Sequence, residues 1–235
     1  MTVTFRTLDP CTNHLLDFIA GGVPNNQYGE SGGCYDATFG DIDGLTYGDL
    51  SQKTLSQIYE MQDQMVAENG VSSATGRYQA LKSTLKEYQD RKKLPDGALF
   101  SQVMQDDFGL TKMKDRGYTE WRAGSIGDDE FMHRLSCEWA SLPDPYNDGK
   151  SHYDGDSAGN HASTTLAHFR EALRIALGYV DVSAPVMSAD MGVRTIQATL
   201  VQTGDLPSMA AVDGVFGPQS RAALERLIAR DKHGV

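Results

Sequence analysis

GESGGCYDATFGD, residues 29–41, is the stretch on which the reading of the whole chain turns. One helical pattern has stopped before it and the next has not begun. A single carboxyl, Glu30, lies among Gly29, Ser31, Gly32 and Gly33, and aromatic and acidic residues follow. Small neighbours leave room for a bulky molecule to approach that carboxyl. A general acid needs such access together with partial shielding from water, which keeps its proton in place near neutral pH. The alternative is a solvated surface acid near a helix end.

On the amino-terminal side, NHLLDFIAGG (residues 13–22) puts Leu15, Leu16, Phe18 and Ile19 on a broad apolar face. Thr12 or Asn13 is the expected N-cap, and Gly21-Gly22 the stop. On the other side, the Gly-, Asp-, Asn- and Tyr-rich run from Gly22 to Gly48 is too long for an idle connection. Helical spacing returns at residues 51–68, with Leu55, Ile58, Tyr59, Met61 and Met65 on one face and Asp49 or Ser51 as cap. Further helices are expected with Leu81, Leu85 and Tyr88, with Phe100, Val103, Met104 and Phe108, through GDDEFMHRLSCEWASLP (residues 127–143), and through TTLAHFREALRIALGY (residues 164–179). Strand-like alternation is scarce. The fold is expected to be mainly α, with a small β element in the Tyr35–Tyr47 loop.

Composition bounds the partners. The 235 residues are 40% hydrophobic and 23% charged, ordinary for a globular protein, and carry a net charge of −11. That charge argues against nucleic acid or an anionic membrane as partner, but not against a weakly charged polymer such as a glycan. No stretch approaches the roughly 20 apolar residues that span a bilayer. The start, MTVTFRTLDPCTNHLL, lacks a basic segment followed by an apolar one. Cys11, Cys34 and Cys137 are odd in number and scattered, and read as free thiols. VDVSAPVMS (residues 180–188) reads as a linker. Residues 181–235 carry six acids and five bases, net −1, which leaves −10 on the first 180. Two units are expected: a catalytic domain over 1–179 and, after a linker at 180–187, a small helical module over 188–235.

A second stretch bears on Glu30. SSATGRYQ (residues 72–79) sets small residues ahead of an aromatic ring and an amide, groups suited to a pyranose face and an N-acetyl group. The plainer reading packs Tyr78 in the core and leaves Arg77 as a surface charge. His152, His161 and His168, with Asp154 and Asp156, raise the question of a metal. Their spacing matches no HExxH pattern, and DGDSAG puts Ala158 and Thr165 where a calcium loop needs oxygen ligands. No metal and no cofactor are expected.

Taken in order, Glu30-Ser31, TGRYQ (Thr75–Gln79) and CEWASLPDPY (Cys137–Tyr146) resemble the phage lambda-type lysozyme family, over roughly Thr12 to Gly178. Those are peptidoglycan-cleaving enzymes of the lysozyme-like superfamily. The resemblance implies a lysozyme-like catalytic domain that cleaves the β-1,4 bond between N-acetylmuramic acid and N-acetylglucosamine. It makes Glu30 the general acid, Ser31 an orienting residue, Tyr78 and Gln79 the cleft wall, and Tyr146 part of a loop over the glycan. Trp139 is expected to pack beneath the site. Asp36, Asp41, Asp43 and Asp49 are candidates for a second carboxylate. The acid-rich loop between Glu30 and Thr75 is longer than in that family, which is associated with the anhydro-forming outcome. Here hydrolysis is the preferred expectation, with lytic transglycosylation open.

DGVFGPQSRAAL (Asp213–Leu224) resembles the D-G-x-x-G-x-x-T turn of a small three-helix peptidoglycan-binding module, with Ser220 in place of Thr. The expected partner is the peptidoglycan glycan strand, with a cognate immunity or inhibitor protein in an effector setting. The chain is expected to be a monomer, made in the cytoplasm and acting in the periplasm or cell wall after delivery by a holin or an injector. The alternatives are a zinc-dependent amidase or endopeptidase, and a wall-binding protein without catalysis.

Overall fold

The structure, a computed structural model, describes residues 9–178 apart from 71 and 158. The chain divides into two units, Met1–Tyr179 and Val180–Val235, and only the first contains described residues. The expected linker at 180–187, the module at 188–235 and the Asp213–Leu224 turn lie outside them.

The first unit is mainly α. Its helices are α1 (Pro10–Ala20), α2 (Leu55–Asn69), α3 (Lys82–Lys92), α4 (Gln102–Asp115), α5 (Tyr118–Arg122), α6 (Asp128–Ser136) and α7 (Leu166–Ala176), with a 3₁₀ turn at Leu50–Gln52. The β element expected in the Tyr35–Tyr47 loop takes the form of isolated bridges, Thr38 with Asp41 and Thr38 with Thr75. Among the described residues no helix is long and apolar enough to cross a membrane.

Caps explain most helix boundaries. α1 starts earlier than expected because Asp9 accepts the Thr12 N–H at 3.0 Å and Pro10 fills the first helical position. Thr54 and Gln57 form a reciprocal capping box on α2, which Gly70 closes in the left-handed conformation. Asp128, Asp129 and Glu130 sit in the first turn of α6, where its dipole favours negative charge.

α1 is the centre of the core. Leu15, Leu16, Phe18, Ile19 and Ala20 are all buried, and the helix packs along α7 and touches α4. Phe18 stacks on Phe169 with ring centroids 5.4 Å apart. A second cluster joins α5 to α6: Trp121 stacks on Phe131 at 4.8 Å, and the Trp121 indole N–H donates to Asp128 at 2.8 Å. Val103 and Leu81, expected on apolar faces, are exposed; Leu81 is the N-cap of α3 and stands outside its periodic face.

The helix expected to run to Leu142 ends at Ser136. Residues 137–142 then turn so that Trp139 and Leu142 enter the core. In a continued helix the Cys137 carbonyl would accept from Ser141. Here it accepts from the Tyr153 hydroxyl at 2.7 Å instead, and the Ser141 N–H is free to point elsewhere.

Backbone meets backbone between α1 and the turn that follows it. A Cβ on Gly29 would collide with the backbone of Ala20 and Gly21, and its φ is +45°. Gly29→Ala is therefore expected to cost at least about 2 kcal/mol, read as a lower urea midpoint. An unchanged midpoint would show that the two segments can separate cheaply.

Candidate active site

Glu30 stands on a turn stitched to the end of α1. Its own N–H donates to Ile19 O at 3.2 Å, and the Ser31 N–H to Ala20 O at 2.8 Å. Asn26, buried, donates to Phe18 O at 2.8 Å and accepts from the Gly29 N–H at 3.1 Å. Ser163 Oγ donates to the same Asn26 side-chain oxygen at 2.7 Å, and the Ser163 N–H donates to Ser141 O at 2.8 Å. One amide side chain thus ties α1, the Glu30 turn and the segment carrying Ser141 together.

The Glu30 residue keeps a partly open face, while protein atoms crowd its carboxyl. Lost hydration raises the carboxyl above its ordinary value of 4.5. Hydrogen bonding from Ser141 opposes the rise; the backbone N–H reaches Glu30 Oε1 at 3.0 Å. The charge of Glu138 adds to the rise. Glu138 is itself held by Lys112 at 3.0 Å and Arg116 at 2.7 Å. The site therefore has a shielded carboxyl, a directing N–H from Ser141 and the field of a second, paired carboxylate.

Ser31 is fully buried, so it orients structure rather than ligand. Its hydroxyl donates to Arg77 O at 2.8 Å and joins the Glu30 turn to the 72–79 stretch. That stretch is pinned from three other sides. Gln105 accepts the Arg77 N–H at 2.8 Å, Gln62 donates to Ser73 O and Ala80 O at 2.8 and 2.9 Å, and the Gly76 N–H donates to Ala37 O at 2.7 Å.

Arg77 is the largest departure from the expected pattern. Far from being a surface charge, its side chain is only 9% exposed and ion-pairs with both Asp17 and Asp106. It also donates to the Tyr35 hydroxyl at 2.7 Å and lies 4.7 Å from that ring's centroid. Burial pushes the Tyr35 phenol up to about 12, so it keeps its proton and donates it to Asp106 at 2.9 Å.

Tyr78, expected on the cleft wall, lies in the core at 3% exposure and donates its hydroxyl to Asp106 at 3.0 Å. Its ring sits so close over Gly109 that any Cβ there would meet it at 2.8 Å. Tyr78 thus packs the 72–79 stretch against α4. Gln79 is partly exposed and adopts φ +47°, uncommon for a residue with a side chain. Its Nε2 donates to Gly76 O at 2.9 Å and Ala37 O at 3.4 Å, which fixes the orientation of the amide. Tyr146 is exposed and belongs to another cluster: its ring lies 4.8 Å from His133 and its hydroxyl 3.4 Å from Glu130.

The candidate second carboxylates divide by task. Asp36 accepts the Leu50 N–H at 2.8 Å and closes the long loop. Asp49 caps the 3₁₀ turn through the Ser51 N–H at 2.9 Å. Asp41 accepts from Thr46 N at 2.7 Å and Gly44 N at 3.1 Å, and hydrogen bonding from Thr46, side chain first and then backbone, holds its carboxyl below the usual range. Asp43 is exposed. An acidic hollow of about 410 Å³ between α2 and α3, lined by Glu60, Asp63, Asp90 and Asp96, includes none of the residues that bond to Glu30.

Sequence reading missed Ser141, Glu138 and Asn26 as parts of the site. Ser141 and Glu138 both lie inside CEWASLPDPY, and no local spacing shows that Ser141 gives up its helical bond. Among the histidines, His161 turns to Gly159 O and His168 lies near Thr164, while His152 joins His133 and Cys137. A family model described as Endolysin matches residues 16–172. No curated protein and no solved structure matches the chain.

Proposed function

The chain belongs to the Endolysin family and is a peptidoglycan-lytic enzyme; we propose that it is a muramidase, with Glu30 the general acid for the β-1,4 bond between N-acetylmuramic acid and N-acetylglucosamine. The observation that carries this reading is the shielded Glu30 carboxyl, raised by lost hydration and aimed by the Ser141 N–H.

In that reaction Glu30 gives its proton to the bridging oxygen as the bond to the muramoyl C1 breaks. The N-acetylglucosamine hydroxyl leaves protonated, and positive charge develops at C1. A water then adds to C1 and passes its proton to a carboxylate. Inverting enzymes place that base about 6.5–9.5 Å from the acid. Asp36, Asp41 and Asp43 are the candidates for that base; hydrogen bonding from Thr46 holds Asp41 below the usual carboxylate range, which makes it the weaker proton acceptor. Gln79 is assigned to the N-acetyl group, since its amide is already oriented. Tyr146, with its exposed ring, is assigned to the rim. Tyr78 and Ser31 hold the floor. The route to the wall is a holin or an injector, and residues 188–235 supply a wall anchor.

Muropeptide analysis tests the chemistry. Purified sacculi treated with the enzyme are expected to release muropeptides with a free reducing muramic acid. Anhydro ends, one water lighter, would assign the second step to the muramoyl 6-hydroxyl and keep Glu30 as acid and then base. Released stem peptides on intact glycan would overturn the muramidase reading.

A further inference from the structure

His133 and Cys137 are four residues apart at the carboxyl end of α6, so both side chains lie on one helix face. The 143–152 loop folds back and adds His152. One possible ligand atom from each of the three lies within 4.8 Å of the others, and His133 Nε2 is 3.8 Å from Cys137 Sγ. Two ligands on one tetrahedral zinc, bound at about 2.1 Å through nitrogen and 2.3 Å through sulfur, stand roughly 3.5 Å apart. The 3.8 Å His133–Cys137 separation is near that distance, and the third side chain closes by roughly 1 Å to join them.

Asp144 fixes the chemistry of both rings. Its side chain is 2% exposed, and its oxygens lie 3.0 Å from His133 Nδ1 and 2.9 Å from His152 Nδ1. A carboxylate can only accept, so both Nδ1 atoms carry the hydrogen. In a neutral imidazole that leaves the Nε2 lone pair free to bind a cation. Asp144 is held in turn by the Tyr146 N–H at 2.9 Å and donates its own N–H to Lys150 O at 2.7 Å. A buried carboxylate that orients two histidines through their Nδ1 atoms, one of them facing a thiol with its Nε2, is the outer-shell arrangement of a metal centre. Two nitrogens and a thiolate select zinc over magnesium or calcium, which take oxygen ligands.

We propose that His133, Cys137 and His152 bind one Zn²⁺, oriented by Asp144, and that the ion fastens the 143–152 loop to α6. Water completes the fourth position. The ion also steadies the turn at 137–142, which carries the Ser141 N–H to Glu30. The proposal does not depend on which peptidoglycan bond is cleaved.

The test uses the full chain without a histidine tag, loaded with zinc and dialysed against metal-free buffer. About one zinc per chain is expected to remain by elemental analysis. Cobalt(II) in its place is expected to give tetrahedral visible bands and a near-ultraviolet thiolate-to-cobalt band. Cys137→Ser is expected to remove the thiolate band. His152→Ala, at an exposed position where the fold can be checked by circular dichroism, is expected to reduce retained zinc to background. Asp144→Asn is expected to weaken zinc binding by about 10–100-fold. Zinc should raise the melting temperature of the parent and leave that of His152→Ala unchanged. Absence of retained metal, a cobalt spectrum without the thiolate band, or undiminished binding in both ligand variants would each overturn the proposal.

Discussion

Glu30→Gln is expected to abolish clearing of purified sacculi, with a rate loss of about a hundred- to ten-thousand-fold, the usual contribution of a positioned general acid. The amide keeps the shape of the side chain and an oxygen to accept the Ser141 N–H, now 3.0 Å from Oε1. The fold should therefore survive. Stability should move in the opposite direction to activity. Because lost hydration raises the folded carboxyl, the folded state holds its proton more tightly than the unfolded chain does. That advantage is complete below the ordinary value of 4.5 and is lost as pH rises through the folded value. Once pH exceeds 4.5, ionisation favours the unfolded wild type over the folded one, a penalty that glutamine lacks. Glu30→Gln should then unfold at higher denaturant than wild type at neutral pH, by about 1 kcal/mol, with the gain vanishing in acid. A variant that is inactive and also less stable at neutral pH would assign Glu30 a structural role instead.

Arg77→Ala is expected to be the most destabilising single change in the described unit, at about 3–5 kcal/mol. The deletion leaves Asp17 and Asp106 without the guanidinium that pairs with both, and removes a donor to Tyr35. Against a typical total of about 5–15 kcal/mol, that loss unfolds a large fraction of molecules at moderate temperature. Urea melts read it directly. Its effect on activity should follow the folded fraction, because the Arg77 side chain is buried among Asp17, Asp106 and Tyr35 and makes no hydrogen bond to Glu30. A loss below about 1 kcal/mol would mean that water replaces the guanidinium and that the site is open underneath.

The fold was legible where apolar spacing and caps agree. Leu15, Leu16, Phe18 and Ile19 announce α1, and Leu55, Ile58 and Met65 announce α2, because a buried helix face must repeat at helical period. The end of α6 was not legible. Residues 137–142 have helical composition, and bonds to the distant Tyr153 hydroxyl, Glu30 carboxyl and Ser163 N–H hold them in a turn instead. Glu30 was singled out by its small neighbours and the order of motifs around it, while the Ser141 N–H that bonds its carboxyl lies over a hundred residues away and left no local signal. Tyr78 was misplaced because a ring beside a glycine-rich turn reads equally well as wall or as core, and the choice is made by Asp106 and Gly109, some thirty residues away. Arg77 was hidden for the same reason: neither of its carboxylate partners lies near it in the chain. The His133, Cys137 and His152 grouping depends on the return of the 143–152 loop, which no periodicity reports.

The titration of the Glu30 carboxyl itself is the most direct measurement of the central claim. Carbon-13-labelled glutamate, assigned by comparison with Glu30→Gln, resolves that one side chain by nuclear magnetic resonance. Its midpoint should lie above 4.5 and coincide with the alkaline limb of glycan-strand cleavage in the free enzyme. A Glu30 midpoint at or below that of an ordinary glutamate, with cleavage persisting unchanged well above it, would contradict general-acid catalysis by this residue.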